Sequence, residues 1–304
     1  MRPLIIVFSS LATLLFVPLS NILSRIVGAI DRASGGRKIH ERDTPRLGGV
    51  AIFFSFFIFA LIALPMTGAL AALLSGGALI VAAGVADDTY GVPPTSKLAL
   101  QIAAAAVAAS LIPLPAYLSL FGLARIPLSG AVAFLFAVLR IVFMINAVNF
   151  ADGLDGLAGG LSLVALLSLF LLTLWRGESV LALILLTLSF SLFGFIPHNV
   201  YRASAFMGDS GSQFLGFSIA VLSLSLSDSV IGSATSFFLA VPIADVWYSV
   251  TRRILTGKSP FIADKGHIHH ALISHGVAHP AAVRILVFTA ALISAATLFF
   301  LFYL

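Results

Sequence analysis

Ten stretches of mainly apolar residues, at roughly 3–24, 47–64, 69–86, 97–115, 128–148, 158–174, 179–197, 212–227, 229–250 and 283–303, take up most of this chain. About twenty such residues are what an α-helix needs to cross the hydrocarbon core of a bilayer. Composition agrees: of 304 residues, 60% are hydrophobic and 10% charged, and mean hydropathy is +1.11. A water-soluble chain carries about 25% charged residues, and a larger core cannot remove the shortfall, because the surface would still face water. Backbone groups facing lipid must be satisfied within their own segment, so the pattern predicts an all-α integral membrane protein with about ten transmembrane helices. Residues 1–304 are read as one transmembrane unit, since no polar stretch is long enough to build its own core. The apolar segment 4–19 behind Arg2 is read as the first membrane helix, because no small-residue cleavage site leading into a hydrophilic domain follows it. The absence of cysteine excludes disulfides, thiolate metal sites and cysteine nucleophiles.

Ten spans sort the connections into two sets. The first holds the loops at about 25–46, 87–96, 149–157, 198–211 and 251–282. The second holds the termini and short turns near Pro65, Arg125, Arg176 and Asp228. Of 17 lysines and arginines, all but Arg2, Arg125 and Arg176 fall in the first set or at its helix ends, Arg140 counted among them. The positive-inside bias therefore predicts that the first set is cytoplasmic and both termini lie outside. The acidic and histidine clusters follow the same side. A transporter or flippase, the reading from a different class, would carry ionisable groups within its spans and an inverted repeat, and the sequence displays neither. Polar chemistry gathered at one interface suits an enzyme that joins a water-soluble substrate to a lipid head group.

Four clusters carry chemistry. Asp87 and Asp88 close the third span, at the helix end whose dipole disfavours anions. They are either a solvated terminus or a magnesium site or general base. Asn149, Asp152 and Asp155 lie in Asn-Phe-Ala-Asp-Gly-Leu-Asp-Gly, where an Asx-Gly turn competes with a ligand site that the glycines leave open. Asp209, in Met-Gly-Asp-Ser-Gly-Ser, has the form of a helix N-cap, and the same helix start favours a phosphate. His267, His269 and His270 follow Lys265 on a basic loop. No cysteine or glutamate nearby completes a tetrahedral zinc set, so imidazoles and Lys265 facing phosphates are expected. The charges of 25–46 are explained by topology and by attraction to anionic membrane lipids.

Taken in order, these segments resemble the polyprenyl-phosphate N-acetylhexosamine-1-phosphate transferases, the glycosyltransferase 4 superfamily of WecA, TagO and MraY. The matching stretches are Lys-Ile-His-Glu-Arg-Asp-Thr-Pro-Arg-Leu-Gly-Gly at 38–49, Asp87-Asp88 with Lys97, residues 149–160, residues 207–212, and His-Ile-His-His at 267–270. The resemblance implies a cytoplasmic active site in a bacterial inner-membrane protein, Mg²⁺ as cofactor with Mn²⁺ as the substitute, and transfer of a sugar-1-phosphate from a UDP-N-acetylhexosamine to undecaprenyl phosphate with release of UMP. That step would begin lipid-linked cell-envelope glycan synthesis. It implies no nucleic-acid partner and leaves a homodimer open. Asp87 and Asp88 would be the catalytic pair, one of them the base. Asp209, with Asp88, would hold the metal. Asn149, Asp152, Asp155, His267, His269 and His270 would form the nucleotide-sugar site, and Lys97, Lys265 and Arg46 would neutralise phosphates. Direct attack by the lipid phosphate and a two-step route through an aspartyl-phosphate remain alternatives. The isoleucine interrupting the histidines resembles the WecA and TagO branch. The competing expectation within the family is a MraY-like enzyme using UDP-MurNAc-pentapeptide.

Overall fold

The computed structural model describes residues 2–32, 43–120, 124–226, 234–257 and 266–303. Lys265 and residues 38–42 of the basic motif lie outside them. The helices are α1 (Arg2–Val27), α2 (Gly48–Ala63), α3 (Gly68–Tyr90), α4 (Pro94–Leu111), α5 (Gly130–Phe150), α6 (Leu157–Trp175), α7 (Ser179–Asn199), α8 (Gly208–Leu224), α9 (Ala240–Leu255), α10 (Ile268–Ser274) and α11 (His279–Phe302). Six of them, α1, α3, α5, α6, α7 and α11, are long and apolar enough to cross a membrane. The molecule is an all-α membrane protein with two small antiparallel ribbons. One pairs β1 (Ile30–Asp31) with β2 (Thr44–Pro45). The other pairs β3 (Tyr117–Leu120) with β4 (Ala124–Pro127) and occupies what the sequence pattern read as a plain turn near Arg125.

Local chemistry explains where the helices differ from the apolar stretches. α3 runs one turn past residue 86 and stops at Gly91, whose φ of 72° suits a residue without Cβ. Both aspartates of the pair therefore sit on its last turn. α4 starts early because Pro94 is favoured in a first turn, and it ends at Ile112, which Pro113 holds extended. The ninth apolar stretch is not one straight helix: a 3₁₀ turn (Thr235–Leu239) leads into α9, which continues to Leu255.

The bundle is built around α8. Apart from Asp209, every residue of α8 is buried, enclosed by α2, α3, α5 and α6. A helix that meets protein on all sides is released from the apolar rule that lipid imposes, so it can carry Ser212, Gln213, Ser218 and Ser223 in its interior turns. Its neighbours reach it through small residues. A Cβ at Gly84 of α3 would lie 2.4 Å from Ser210 Cα, and one at Gly49 of α2 would lie 2.1 Å from Gly211 N. Backbone contact of this kind is how membrane helices associate without a hydrophobic driving force.

Two ionisable groups lie within the apolar stretches, which the sequence pattern reads as carrying none. Arg140 lies in the middle of α5, not at a helix end, and its guanidinium reaches Ser223 Oγ at 3.2 Å and Thr235 Oγ1 at 3.1 Å. Asp245 is buried in α9 with 4% exposure. Both were hidden by apolar neighbours that keep the hydropathy average high.

Gly84→Ala is expected to lower the unfolding temperature in detergent, because overpacking costs about 1–3 kcal/mol. Gly130→Ala, whose Cβ meets nothing within 4 Å, should leave it unchanged. Equal unfolding temperatures for both variants would contradict the close α3–α8 contact.

Candidate active site

The C-terminal turn of α3 abuts the first turn of α8. Asp88 Oδ1 accepts the amide of Asp209 (3.1 Å) and Oδ2 accepts that of Ser210 (3.2 Å). Those amides have no partner within their own helix, and the positive end of α8 favours a carboxylate there. The dipole penalty at the end of α3 is thereby offset by the start of another helix. Arg46, at the entry to α2, adds a guanidinium 3.5 Å from Asp88 Oδ1. Gly208 makes the approach possible: a Cβ there would lie 2.5 Å from Asp88 Oδ2 and 2.1 Å from Arg46 O. The adjacent carboxylate points elsewhere. Asp87 Oδ1 accepts the Val92 amide (2.6 Å) and Oδ2 lies 3.3 Å from Lys97 Nζ.

Asp209 is the hub. It pairs with Lys97, which thus bridges it to Asp87. Asn149 Nδ2 donates to Asp209 Oδ1 (3.0 Å) and to Ser212 Oγ (2.9 Å), and Gln213 Nε2 donates to Asp209 Oδ2 (2.9 Å). Behind Gln213 two further amides extend the network. Asn146 Nδ2 donates to Gln101 Oε1 (2.8 Å), and Gln101 Nε2 donates to Gln213 Oε1 (2.9 Å). The donors that meet Asp209, from Lys97, Asn149 and Gln213, suit an ionised carboxylate, which only accepts.

Beside this hub lies a cavity of about 180 Å³ whose lining includes Asp31, Arg46, Asp152, Asp155, Asn199 and Phe206. Asp155 braces its wall: Oδ2 accepts the amides of Arg202 (3.1 Å) and Ala203 (3.2 Å), where Arg202 has a positive φ of 66°. Asn199 ties the same loop down, accepting the Gly156 amide (3.1 Å) and donating to Ala205 O (3.2 Å). Burial, together with the negative charges of Asp209 and Asp88, pushes Asp152 up to about 7. Arg46 opposes those charges without offsetting them.

The histidines close the other side. His269 packs so tightly on the 149–157 loop that a Cβ at Gly153 would lie 2.2 Å from its Nε2. Desolvation, then repulsion from His270, lowers His269 to about 4, so this ring is neutral at physiological pH. His267 stacks on His269 with centroids 5.6 Å apart and rings 5° from parallel. His270 tilts against His269 at 4.3 Å.

The structure therefore gathers Asp87, Asp88, Lys97, Asn149, Asp209 and Arg46 into one polar cluster, with Asp152, Asp155 and the three histidines around the adjoining loops. The described parts of the first set of loops meet at one end of the bundle. Sequence reasoning missed Gln101, Asn146, Gln213, Asn199, Asp245 and Ser249. A signal existed for two of them: Gln213 follows Asp209 by one helical turn, and Asn146 precedes Asn149 by three residues.

Residues 70–227 match Glycosyl transferase family 4. A Bacillus subtilis protein named a probable undecaprenyl-phosphate N-acetylglucosaminyl 1-phosphate transferase is 34% identical over 289 residues, covering 92% of this chain and 79% of that relative. The decaprenyl-phosphate N-acetylglucosaminephosphotransferase of Mycolicibacterium smegmatis is 35% identical over 306 residues, with coverage of 87% and 74%. The undecaprenyl-phosphate alpha-N-acetylglucosaminyl 1-phosphate transferase of Escherichia coli K12 is 28% identical, with coverage of 93% and 80%.

Folding raises Asp152 from an ordinary 3.8 to about 7, so its contribution to stability is complete below about pH 4 and lost as pH rises through about 7. In EDTA, the native protein should lose thermal stability between pH 5 and pH 8 by more than Asp152→Asn does. Parallel profiles for the two proteins would refute the shift.

Proposed function

This chain belongs to glycosyl transferase family 4, and we propose that it transfers N-acetylglucosamine-1-phosphate from a UDP-sugar to undecaprenyl phosphate, with release of UMP. The observation that carries the site assignment is the Asp87–Lys97–Asp209 cluster, which sits beside a cavity walled by Asp152 and Asp155. A space of about 180 Å³ suits a diphosphate group better than an entire nucleotide-sugar, since ligand sites for larger molecules run to several hundred Å³.

Both substrates are anionic, so charge repulsion is the first obstacle to transfer. Mg²⁺ asks for one or two carboxylates with phosphate and water oxygens completing its shell. The residues fit that demand: Asp209 and Asp152 supply carboxylates, and the negative charge around Asp152 outweighs what Arg46 opposes. Bound there, Mg²⁺ would screen the diphosphate and stabilise the departing UMP. Whereas Asp209 is held by side chains that can turn aside, Asp88 is pinned by backbone amides of α8 and suits metal binding less well. Its side chain is 0% exposed, whereas that of Asp87 is 21% exposed. We therefore assign the base to Asp87, which keeps the lipid phosphate ionised, and give Asp88 the task of placing α8. Lys97 balances Asp87 and Asp209 before substrate arrives. An oxygen of the lipid phosphate then attacks the β-phosphorus, and the bond to the bridging oxygen breaks with its electrons leaving on UMP.

The topology belongs to the same proposal. Ten spans, both termini outside and a cytoplasmic site follow from the charge bias of the loops. Since Arg140 and Asp245 lie within apolar stretches, a lack of ionisable groups there no longer counts against a transporter; family membership does.

Two experiments test this. Purified protein with undecaprenyl phosphate and Mg²⁺ should release UMP from UDP-GlcNAc. Asp87→Asn and Asp209→Asn should each lower the rate at least about 100-fold, and only Asp88→Asn should also lower the unfolding temperature. Turnover of UDP-MurNAc-pentapeptide instead would move the chain to the other branch, and a UMP burst without lipid would establish the two-step route. Topology can be read from single cysteines, because the chain has none of its own. A membrane-impermeant maleimide should label Glu178→Cys on intact spheroplasts and Ser96→Cys only after permeabilisation. The reverse pattern would invert the orientation.

A further inference from the structure

Asp245 and Ser249 lie one turn apart on α9, with 4% and 2% exposure, and they face the histidine segment. Asp245 spends both oxygens on it. Oδ2 is 2.8 Å from His267 Nδ1, and Oδ1 accepts the Ile268 amide at 2.6 Å, capping α10. Ser249 Oγ lies 3.1 Å from the same Nδ1. In its neutral form the ring therefore carries its proton on Nδ1, facing the carboxylate oxygen 2.8 Å away. Nε2 then carries the lone pair and has no partner among the described residues. The ring is clamped further by Phe150, with centroids 5.7 Å apart, and by parallel His269, which rests on Gly153 beside Asp152.

We propose that Asp245, assisted by Ser249, is a positioning residue for the transfer: it fixes His267 as the Nδ1–H tautomer and presents Nε2 to the phosphate oxygens of the nucleotide-sugar. This rests on the function assigned above. When an anionic ligand arrives, Nε2 takes a proton from solvent, and the resulting imidazolium donates Nε2–H to a phosphate oxygen. Asp245 balances its charge. Without that carboxylate the ring is free to turn over or to carry its proton on the opposite nitrogen. Partners of this kind, once removed, typically cost 10–100-fold in the function of the histidine they orient.

The test uses full-length protein in lipid nanodiscs, labelled with ¹⁵N-histidine and observed at pH 8. The His267 signals are those missing from His267→Gln, and the ¹⁵N shifts distinguish the two tautomers. The native protein should show Nδ1–H, and Asp245→Asn should shift the population toward Nε2–H. With UDP-GlcNAc and undecaprenyl phosphate, Asp245→Asn should lower kcat about 10–100-fold while changing KM for the donor less than about threefold, and Asp245→Glu should recover part of the loss. In the His267→Gln background, Asp245→Asn should cost nothing more. If Asp245→Asn does not fold, Ser249→Ala should give a smaller change in the same direction in both readouts. An Nε2–H tautomer in the native protein, or losses that simply multiply in the double variant, would overturn the proposal. Absence of transfer by the native protein would instead sink the assigned function, while the tautomer measurement would still decide whether Asp245 orients His267.

Discussion

The carboxylate of Asp88 rests on two amides in the first turn of α8, those of Asp209 and Ser210, and the remainder of the site takes its position from that contact. Hydrogen bonds contribute about 0.5–1.5 kcal/mol each, and this pair supplies two amides with the acceptors their own helix cannot provide. The end of α3 needs a positive field for its aspartate, and the start of α8 needs an acceptor for its amides. Joining them fixes the separation of the two helices at the level of Asp209. Small residues enforce the same distance from behind, since Gly84 and Gly49 allow α3 and α2 to touch the α8 backbone. A helix start held on three sides can display an aspartate at one defined point.

Around that point the polar groups are arranged for charge rather than for neutrality. Three donors converge on Asp209, from Lys97, Asn149 and Gln213, and Gln101 backs Gln213 from behind. Asp152 is the exception. It stands among Asp209, Asp88 and Asp155 with only Arg46 to oppose them. One group of carboxylates is thus balanced within the protein and the neighbouring one is not. That asymmetry supports a reading in which a cation arrives with the substrate.

The histidine motif divides its labour in a comparable way. His269 is neutral and wedged against Gly153, so it shapes the wall more than it supplies charge. His267 is held at Nδ1 by groups from α9 and offers its other nitrogen. A short motif that reads as three equivalent imidazoles becomes three different environments once α9 and the 149–157 loop pack on it.

Sequence alone settled the solvent of this chain, its helical class and the identity of most polar residues that meet at the site. Each follows from local physics: lipid forbids unpaired backbone, and charge is costly within a span, so carboxylates and histidines left in loops stand out against an apolar background. The family motifs added their order along the chain. Tertiary structure alone decided that Asp88 braces a helix start while Asp87 faces Lys97, although the two are neighbours in sequence. It also brought in Gln101, Gln213 and Asp245, which apolar neighbours conceal. α8 is enclosed by other helices, and α9 turns its Asp245 face inward, so neither is held to the composition that lipid demands. Which residues a buried helix carries, and toward which partner each one points, is set by the helices packed around it.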